Sequence, residues 1–234
     1  MKNKLKAWAI LIIGLGIISC TKNQDAGPIV TETRAVSDYS ELEVRGAFEV
    51  LISEDFDADL EITAPNNKMQ FIDAYVLGNR LIINEDDNRI QDARMVVKVS
   101  NQHINHIELL GSGLIEGDTI YGSDLKIELS GSGRVDLPLE TSDLYLEVNG
   151  SGSIAVFGQS GQTESKISGS GFIDSKSVQS SKGIARIDGS GNIMIYAEDS
   201  LTARVTGSGR IQYWGNPSYL DTNIDGSGQI TDMQ

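Results

Sequence analysis

Residues 125–137, with the sequence Leu-Lys-Ile-Glu-Leu-Ser-Gly-Ser-Gly-Arg-Val-Asp-Leu, contain the pattern that decides the fold of this chain. Apolar and polar residues alternate on both sides of Gly-Ser-Gly, which is typical of β-strands with one buried face. The tripeptide occurs seven times, and its first glycines are separated by 20, 19, 19, 20, 18 and 19 residues. These first glycines are Gly111, Gly131, Gly150, Gly169, Gly189, Gly207 and Gly226. Such even spacing indicates an internal structural repeat.

The residues around the tripeptide repeat as well. An aliphatic residue stands two positions before each first glycine, and another stands four positions after it. One repeat is too short to bury its own apolar face, so stacked repeats are needed to form a continuous core. We therefore predict an all-β fold, a parallel β-helix or solenoid with about seven Gly-Ser-Gly rungs of 19–20 residues. In this register Ile187 lies inside the stack and Arg186 outside it. An up-and-down barrel is the alternative, but the half-repeats lack the Asn-Gly or Asp-Gly turns of hairpins.

The Gly-Ser-Gly tripeptide itself is expected to form a corner of each rung, because glycine permits sharp bends and close backbone approach. The seven serines would then point away from the core and form a ladder of mutual hydrogen bonds. A polar groove that holds a glycan or a peptide is the alternative function for the same tripeptides.

Residues 39–104 are also rich in strand patterns but lack the repeat, and residues 105–234 contain all of the regular units. Because an open rung exposes unpaired backbone, we interpret residues 39–104 as irregular entry rungs and a cap. Met69, Ile72 and Tyr75 have the spacing of one face of a short helix within this cap.

The start of the chain is typical of a bacterial lipoprotein. Residues 1–19 combine three lysines with a short apolar run, as in a signal peptide, and end directly before Cys20. Cys20 is the only cysteine in the sequence, and we predict that it carries the lipid. Residues 20–38 are polar and mixed, so we expect a flexible tether there, followed by a single domain over residues 39–234.

Three features resemble a known bacterial family. They are Arg-Gly-Ala-Phe-Glu-Val at residues 45–50, the repeated Ile/Leu-x-Gly-Ser-Gly-x-Ile, and Tyr-Trp-Gly-Asn-Pro at residues 213–217. Together they resemble the family called putative auto-transporter adhesin, head GIN domain, over about residues 39–230. The resemblance implies a right-handed parallel β-helix on an exported protein. It implies no established activity.

The sequence offers little for catalysis. His103 and His106 are the only histidines, and three positions apart on a strand they would point to opposite faces, so we expect no metal site. No Gly-x-Gly-x-x-Gly loop opens a helix, so no cofactor is expected. The formal net charge of −14 opposes binding to nucleic acid.

Two sets of residues could contact a ligand. Glu128 and Glu147 would lie on adjacent rungs in one outward column. This column would be either an ion-binding or sugar-binding strip or a solvated face without a ligand. Tyr213 and Trp214 could stack on a sugar ring, or Trp214 could plug the end of the last full rung. We predict no catalytic residue.

These features favour a non-catalytic adhesin-like or structural module, lipid-anchored in the cell envelope. The outer membrane is the favoured location, and a glycan or an envelope protein is the expected partner. A polysaccharide-active β-helix enzyme is the alternative. The last rung, near Ile224 and Ile230, should present an open edge guarded by acidic residues, so we expect a monomer, with a dimer promoted by salt as the alternative.

Overall fold

The computed structural model describes residues 27–54, 56, 60–86, 94–100 and 103–234. In this part of the chain nineteen β-strands form one hydrogen-bonded sheet, accompanied by a single helical turn. Across these residues, no helix has the length and apolar character needed to cross a membrane. The predicted signal peptide and Cys20 lie outside the described residues.

The N-terminal region contains seven strands and the helical turn. They are β1 (Ile29–Arg34), β2 (Glu41–Gly46), β3 (Glu49–Ser53), β4 (Leu60–Pro65), α1 (Asn66–Met69), β5 (Ile72–Leu77), β6 (Arg80–Glu85) and β7 (Val96–Ser100).

The repeat region contains the other twelve strands. They are β8 (His106–Gly111), β9 (Leu114–Gly117), β10 (Ile120–Tyr121), β11 (Asp124–Gly131), β12 (Arg134–Gly150), β13 (Ser153–Gly169), β14 (Phe172–Gly189), β15 (Asn192–Tyr196), β16 (Ser200–Gly207), β17 (Arg210–Trp214), β18 (Tyr219–Gly226) and β19 (Gln229–Asp232).

The repeat strands pair in parallel, and each first glycine lies beside the first glycine of the neighbouring rung. The aliphatic columns that flank the tripeptide point inward and form one continuous core. Ile187 is 3% exposed and Arg186 is exposed, as the repeat register predicts. The predicted β-solenoid of about seven turns is therefore confirmed.

Each Gly-Ser-Gly forms the predicted corner. The first glycines have φ between +115° and +136°, a region that favours glycine. The seven serines are exposed, but among the described residues no hydroxyl hydrogen bond joins two of them, so the predicted serine ladder is not formed. The backbone supplies the ladder instead: the Ser170 amide, for example, donates to the Gly150 carbonyl oxygen at 2.9 Å.

The cap begins with a regular rung that the sequence pattern conceals. β2 and β3 pair with β8 and β9 in the repeat register, and Gly46 lies beside Gly111. Gly46 has φ of +118°, as the corner glycines do. Phe48 stands where a corner would have its second glycine, and its ring is fully buried. Gly46-Ala47-Phe48 is thus a corner of the same geometry without the serine.

Beyond this rung the stack continues with two parallel pairings and then with antiparallel strands. The β5–β6 hairpin covers β2, and β7 covers β3 and carries β4 and then β1. Residues 29–34, placed in the flexible tether by their polar composition, therefore belong to the sheet as β1. The predicted helical face is also corrected: Met69 ends α1, but Ile72 and Tyr75 lie on β5.

Candidate binding surfaces

The outward surface of the strands that precede each corner is here called the charged face. Its column three positions before the first glycine changes from acidic to basic along the stack. The column contains Glu43, Glu108, Glu128, Glu147, Lys166, Arg186 and Arg204. Glu128 and Glu147 are direct partners in the register of β11 and β12, so the predicted adjacency of the two carboxylates is observed.

Both carboxylates have partners within the chain. Glu128 lies 2.7 Å from His106 Nε2 and 2.8 Å from Lys126 Nζ. Glu147 accepts hydrogen bonds from the Tyr145 hydroxyl at 2.6 Å and from Lys166 Nζ at 2.9 Å. Partial burial acts to raise the pKa of each carboxyl, but these hydrogen bonds outweigh it and leave both pKa values lowered. Glu128 and Glu147 are therefore held ionised.

Arg80 extends this network into the cap. Its guanidinium lies 2.7 Å from Glu41, 2.8 Å from Glu43 and 3.0 Å from Glu108. Arg80 starts β6, whereas the three glutamates lie on the first two rungs. This cluster therefore joins the cap hairpin to the repeat stack.

A groove of about 270 Å³ opens on the charged face beside Tyr145 and Glu164. Lys126 Nζ lies 5.4 Å from the centroid of the Tyr145 ring, so a cation already lies over that ring. The Tyr145 hydroxyl is engaged by Glu147. On the charged face, ion pairs and hydrogen bonds between side chains therefore link neighbouring rungs and stabilise the stack.

The two histidines do not come together as a metal site. His106 lies on β8 and contacts Glu128, whereas His103 lies in the turn before that strand and has φ of +49°. Within the described residues, no group of three or more histidine and acidic side chains has a geometry that could hold a metal ion.

Tyr213 and Trp214 are separated by the strand geometry. They are consecutive on β17, so their side chains point to opposite faces of the sheet. Tyr213 points into the core and is 7% exposed, whereas Trp214 lies half-buried on the outside. Tyr213 is therefore a core residue of the last full rung, and of the two only Trp214 is available on the outer surface.

Trp214 belongs instead to an outward column that sequence reasoning missed, here called the aromatic column. It lies seven positions after each first glycine, where the residues are Asp118, Pro138, Phe157, Lys176, Tyr196, Trp214 and Met233. Phe157 is 49% exposed, and Tyr196 pairs directly with Trp214 in the register of β15 and β17. The constant offset from the corner glycine was the signal that would have revealed it.

A β-bulge interrupts this column in the rung of β14. Ala155 pairs with Asp174, but Phe157 pairs with Ser177, so β14 contains one extra residue. The Lys176 side chain turns aside and donates to Asp174 at 2.6 Å. Because the rung of β14 lies between their own rungs, Phe157 and Tyr196 are about two rung spacings, roughly 10 Å, apart.

A second groove of about 270 Å³ lies beside Tyr196. Its other lining residues are Ser160, Gln179, Ser180, Ser181 and Glu198. The Tyr196 hydroxyl donates to the Glu198 carboxylate, which raises the pKa of Tyr196 and keeps its hydroxyl protonated. An aromatic ring, an amide, hydroxyls and a carboxylate thus surround one shallow groove.

Comparison with known structures shows the same fold in several bacterial proteins. A putative adhesin from Bacteroides fragilis NCTC 9343 is 22% identical, with a TM-score of 0.81 over 88% of this chain and 97% of the other. A putative lipid binding protein from Parabacteroides distasonis ATCC 8503 is 24% identical, with a TM-score of 0.73 over 89% and 98%. A putative adhesin from Parabacteroides merdae ATCC 43184 is 19% identical, with a TM-score of 0.73 over 89% and 97%.

At these identities the likeness establishes the fold alone. A search of curated protein sequences gave no significant match. The sequence profile of the family described as putative auto-transporter adhesin, head GIN domain, matches residues 38–217. That match covers most of the chain and includes the corner at Gly46 and all but the last Gly-Ser-Gly. This chain therefore belongs to the putative auto-transporter adhesin, head GIN domain, family.

Proposed function

We propose that this chain is a non-catalytic glycan-binding module of the bacterial cell envelope, held to a membrane by a lipid on Cys20. The observation that carries the proposal is the aromatic column beside the Tyr196 groove. The adhesin description of the family supports an envelope or surface location. The signal-like residues 1–19 and Cys20 support the lipid anchor.

The chemistry of this surface suits a sugar. A pyranose ring has an apolar C–H face that packs on an aromatic ring, and a hydroxyl rim that needs hydrogen-bond partners. Phe157, Tyr196 and Trp214 offer such rings, with apolar faces and, in Tyr and Trp, one polar group. Gln179 offers both a donor and an acceptor, and Glu198 offers an acceptor. The Tyr196 groove places one aromatic ring among hydroxyl, amide and carboxylate groups, which are the partners that a hydroxyl rim needs.

The charge of the molecule favours a neutral ligand. The net charge of −14 repels anionic polymers, while hydroxyl groups donate readily to ionised carboxylates. A hydrolase that cleaves glycans needs one carboxyl with a raised pKa as its proton donor. On the charged face the pKa values of Glu128 and Glu147 are lowered instead. This pattern supports binding without cleavage.

Binding is tested with full-length protein in detergent micelles, against isolated cell-wall polymers, neutral polysaccharides and phospholipid vesicles. We expect capture of a neutral polysaccharide. Tyr196→Ala and Trp214→Ala should each weaken it at least tenfold, since central aromatic contacts commonly contribute about 2 kcal/mol. Tyr121→Ala is the matched control, because Tyr121 is 51% exposed and lies on β10, four rungs before Tyr196. Unchanged affinity in both column variants, or capture of vesicles alone, would refute the proposal.

The anchor is tested separately by Cys20→Ala. Without the thiol no acyl chain can be attached, so the protein should leave the membrane fraction or remain unprocessed. Incorporation of labelled fatty acid, followed on a gel, gives the direct measurement. Label that still enters the variant would show that Cys20 is not the lipidated residue.

A further inference from the structure

Part of the aromatic column forms an apolar track that runs along the stack. On five of six consecutive rungs the outward residue at this position is apolar or aromatic, and each of the five side chains reaches solvent. The members of the apolar track are Pro138, Phe157, Tyr196, Trp214 and Met233. The bulged rung of β14, with Lys176, is the sixth rung and lies between Phe157 and Tyr196. Apolar contact is therefore offered repeatedly in the direction of the stack axis.

A polar side chain accompanies the apolar track on each rung from Phe157 to Trp214. It follows the track position by two residues, or by three on the bulged rung, and these residues are Gln159, Gln179, Glu198 and Asn216. All four are exposed, and Gln159 pairs directly with Gln179 in the register of β13 and β14. A side-chain amide donates and accepts hydrogen bonds, and a carboxylate accepts them. Each of these rungs therefore offers a hydrogen-bonding group beside the track.

The spacing of the rungs restricts what can follow the track. Neighbouring strands lie about 4.8 Å apart, so a ligand along the axis meets equivalent groups at that interval. An extended peptide returns a side chain to the same face only every second residue, after roughly 6.6 Å, and falls out of step with the rungs. An extended β-1,4-linked chain of pyranose sugars is straight and advances by close to one rung spacing per sugar unit. An α-1,4-linked chain curves and leaves a straight track after a few units.

Building on the glycan binding proposed above, on which this step rests, we propose that the ligand is a neutral, extended β-1,4-linked polysaccharide that lies along the stack with one sugar unit per rung. Its rings pack on Phe157, Tyr196 and Trp214, and its hydroxyl groups bond to the polar side chains beside the track. Phe157 and Trp214 are three rung spacings, roughly 14 Å, apart, so four sugar units reach all three rings. Two units reach Tyr196 and Trp214, which lie on neighbouring rungs.

The bulged rung lets a neutral chain pass. Lys176 brings a positive charge to the track position, but its ammonium group donates to Asp174 at 2.6 Å and lies 3.8 Å from Met194 Sδ. The charge is thus paired and held over the neighbouring outward column, two residues back along the strand. A sugar unit at this rung has no ring to pack on, but the Gln179 amide is beside it.

Defined oligosaccharides test the linkage and the number of units. Calorimetric titration uses the full-length protein in a detergent without a sugar headgroup, with β-1,4-linked disaccharides and tetrasaccharides of glucose, mannose and N-acetylglucosamine. The α-1,4-linked tetrasaccharide of glucose differs from its β-linked counterpart in the linkage alone. In at least one β-linked series the tetrasaccharide should bind about tenfold more tightly than the disaccharide, because it reaches a third ring. It should exceed the α-linked tetrasaccharide by about the same factor.

Variants of single rings locate the chain on the track. Phe157→Ala should lower the affinity for the tetrasaccharide about tenfold and leave that for the disaccharide within roughly twofold, whereas Tyr196→Ala should weaken both. Phe172→Ala is the matched control, because Phe172 lies on the next rung but four residues before the track position. This control variant should bind both oligosaccharides as wild type does.

The failure of this inference is distinct from the failure of the proposed function. If no neutral glycan binds, glycan binding and the bound chain are both refuted. If a neutral glycan binds through Tyr196 but no β-1,4-linked oligosaccharide does, glycan binding stands and the β-linked chain is overturned. The same conclusion follows if the α-linked and β-linked tetrasaccharides bind equally, if length has no effect, or if Phe157→Ala changes both lengths alike.

Discussion

At the scale of single residues, the first glycine of each corner meets two constraints at once. Gly169 has φ of +125°, and a Cβ atom built there would lie 2.6 Å from the Gly150 carbonyl oxygen. The first constraint is conformational and the second is steric, so no other residue satisfies both. The serine that follows has neither constraint, because its side chain is exposed and only its amide joins the rungs.

Gly169→Ala should therefore destabilise the protein by roughly 2–4 kcal/mol, from left-handed strain and from the displaced neighbouring strand. Ser170→Ala, one position later, should change stability by less than about 0.5 kcal/mol. Urea midpoints of the two variants provide the measurement. A Gly169→Ala midpoint equal to that of Ser170→Ala would show that the corner does not require glycine.

At the scale of strands, the charged face links neighbouring rungs by ionised carboxylates. The pKa values of Glu128 and Glu147 are lowered in the folded state, so the unfolded chain binds protons more readily as the pH falls. The stability that these groups contribute is complete above the unfolded pKa of about 4.3, and it is lost as the pH falls through the folded pKa.

Glu147→Gln should lower the unfolding free energy at neutral pH by about 0.5–1 kcal/mol, and the difference from wild type should shrink below about pH 4. The exposed Glu140 supplies the control variant Glu140→Gln, which should match wild type across the range. Thermal unfolding of wild type and of both variants, followed from pH 7 to pH 3, measures these differences in stability. A deficit of Glu147→Gln that stays constant across the range would contradict a role for the ionised carboxylate.

The strands also show how far sequence reasoning extends. The spacing of Gly-Ser-Gly predicted the stack, its register and the opposite placement of Ile187 and Arg186, because a repeat imposes the same environment on equivalent positions. Sequence reasoning missed β1, because that strand is ordered by pairing with β4 and not by its own apolar pattern. It grouped Tyr213 with Trp214 as possible contacts, although alternation on β17 places one of them in the core.

At the scale of the whole molecule, the stack has two different ends and two different faces. At one end the antiparallel β5–β6 hairpin lies beyond the first rung, and at the other end Leu220 and Ile224 are exposed. The charged face satisfies its charges within the chain, whereas the aromatic column leaves Phe157 open to solvent. A protein anchored near its capped end would therefore carry the aromatic column outward along the stack, where a long polymer could lie across several rungs.

The most direct measurement of glycan binding is the fluorescence of Trp214 in the mature protein, from which we expect Trp8, the other tryptophan, to have been removed with the signal peptide. A polysaccharide that stacks on the aromatic column should shift the emission of Trp214 to shorter wavelength and saturate, while the length of the polymer stays unchanged. Bound polymer without any change in emission, or shortened chains with new reducing ends, would contradict a non-catalytic module that binds through this column.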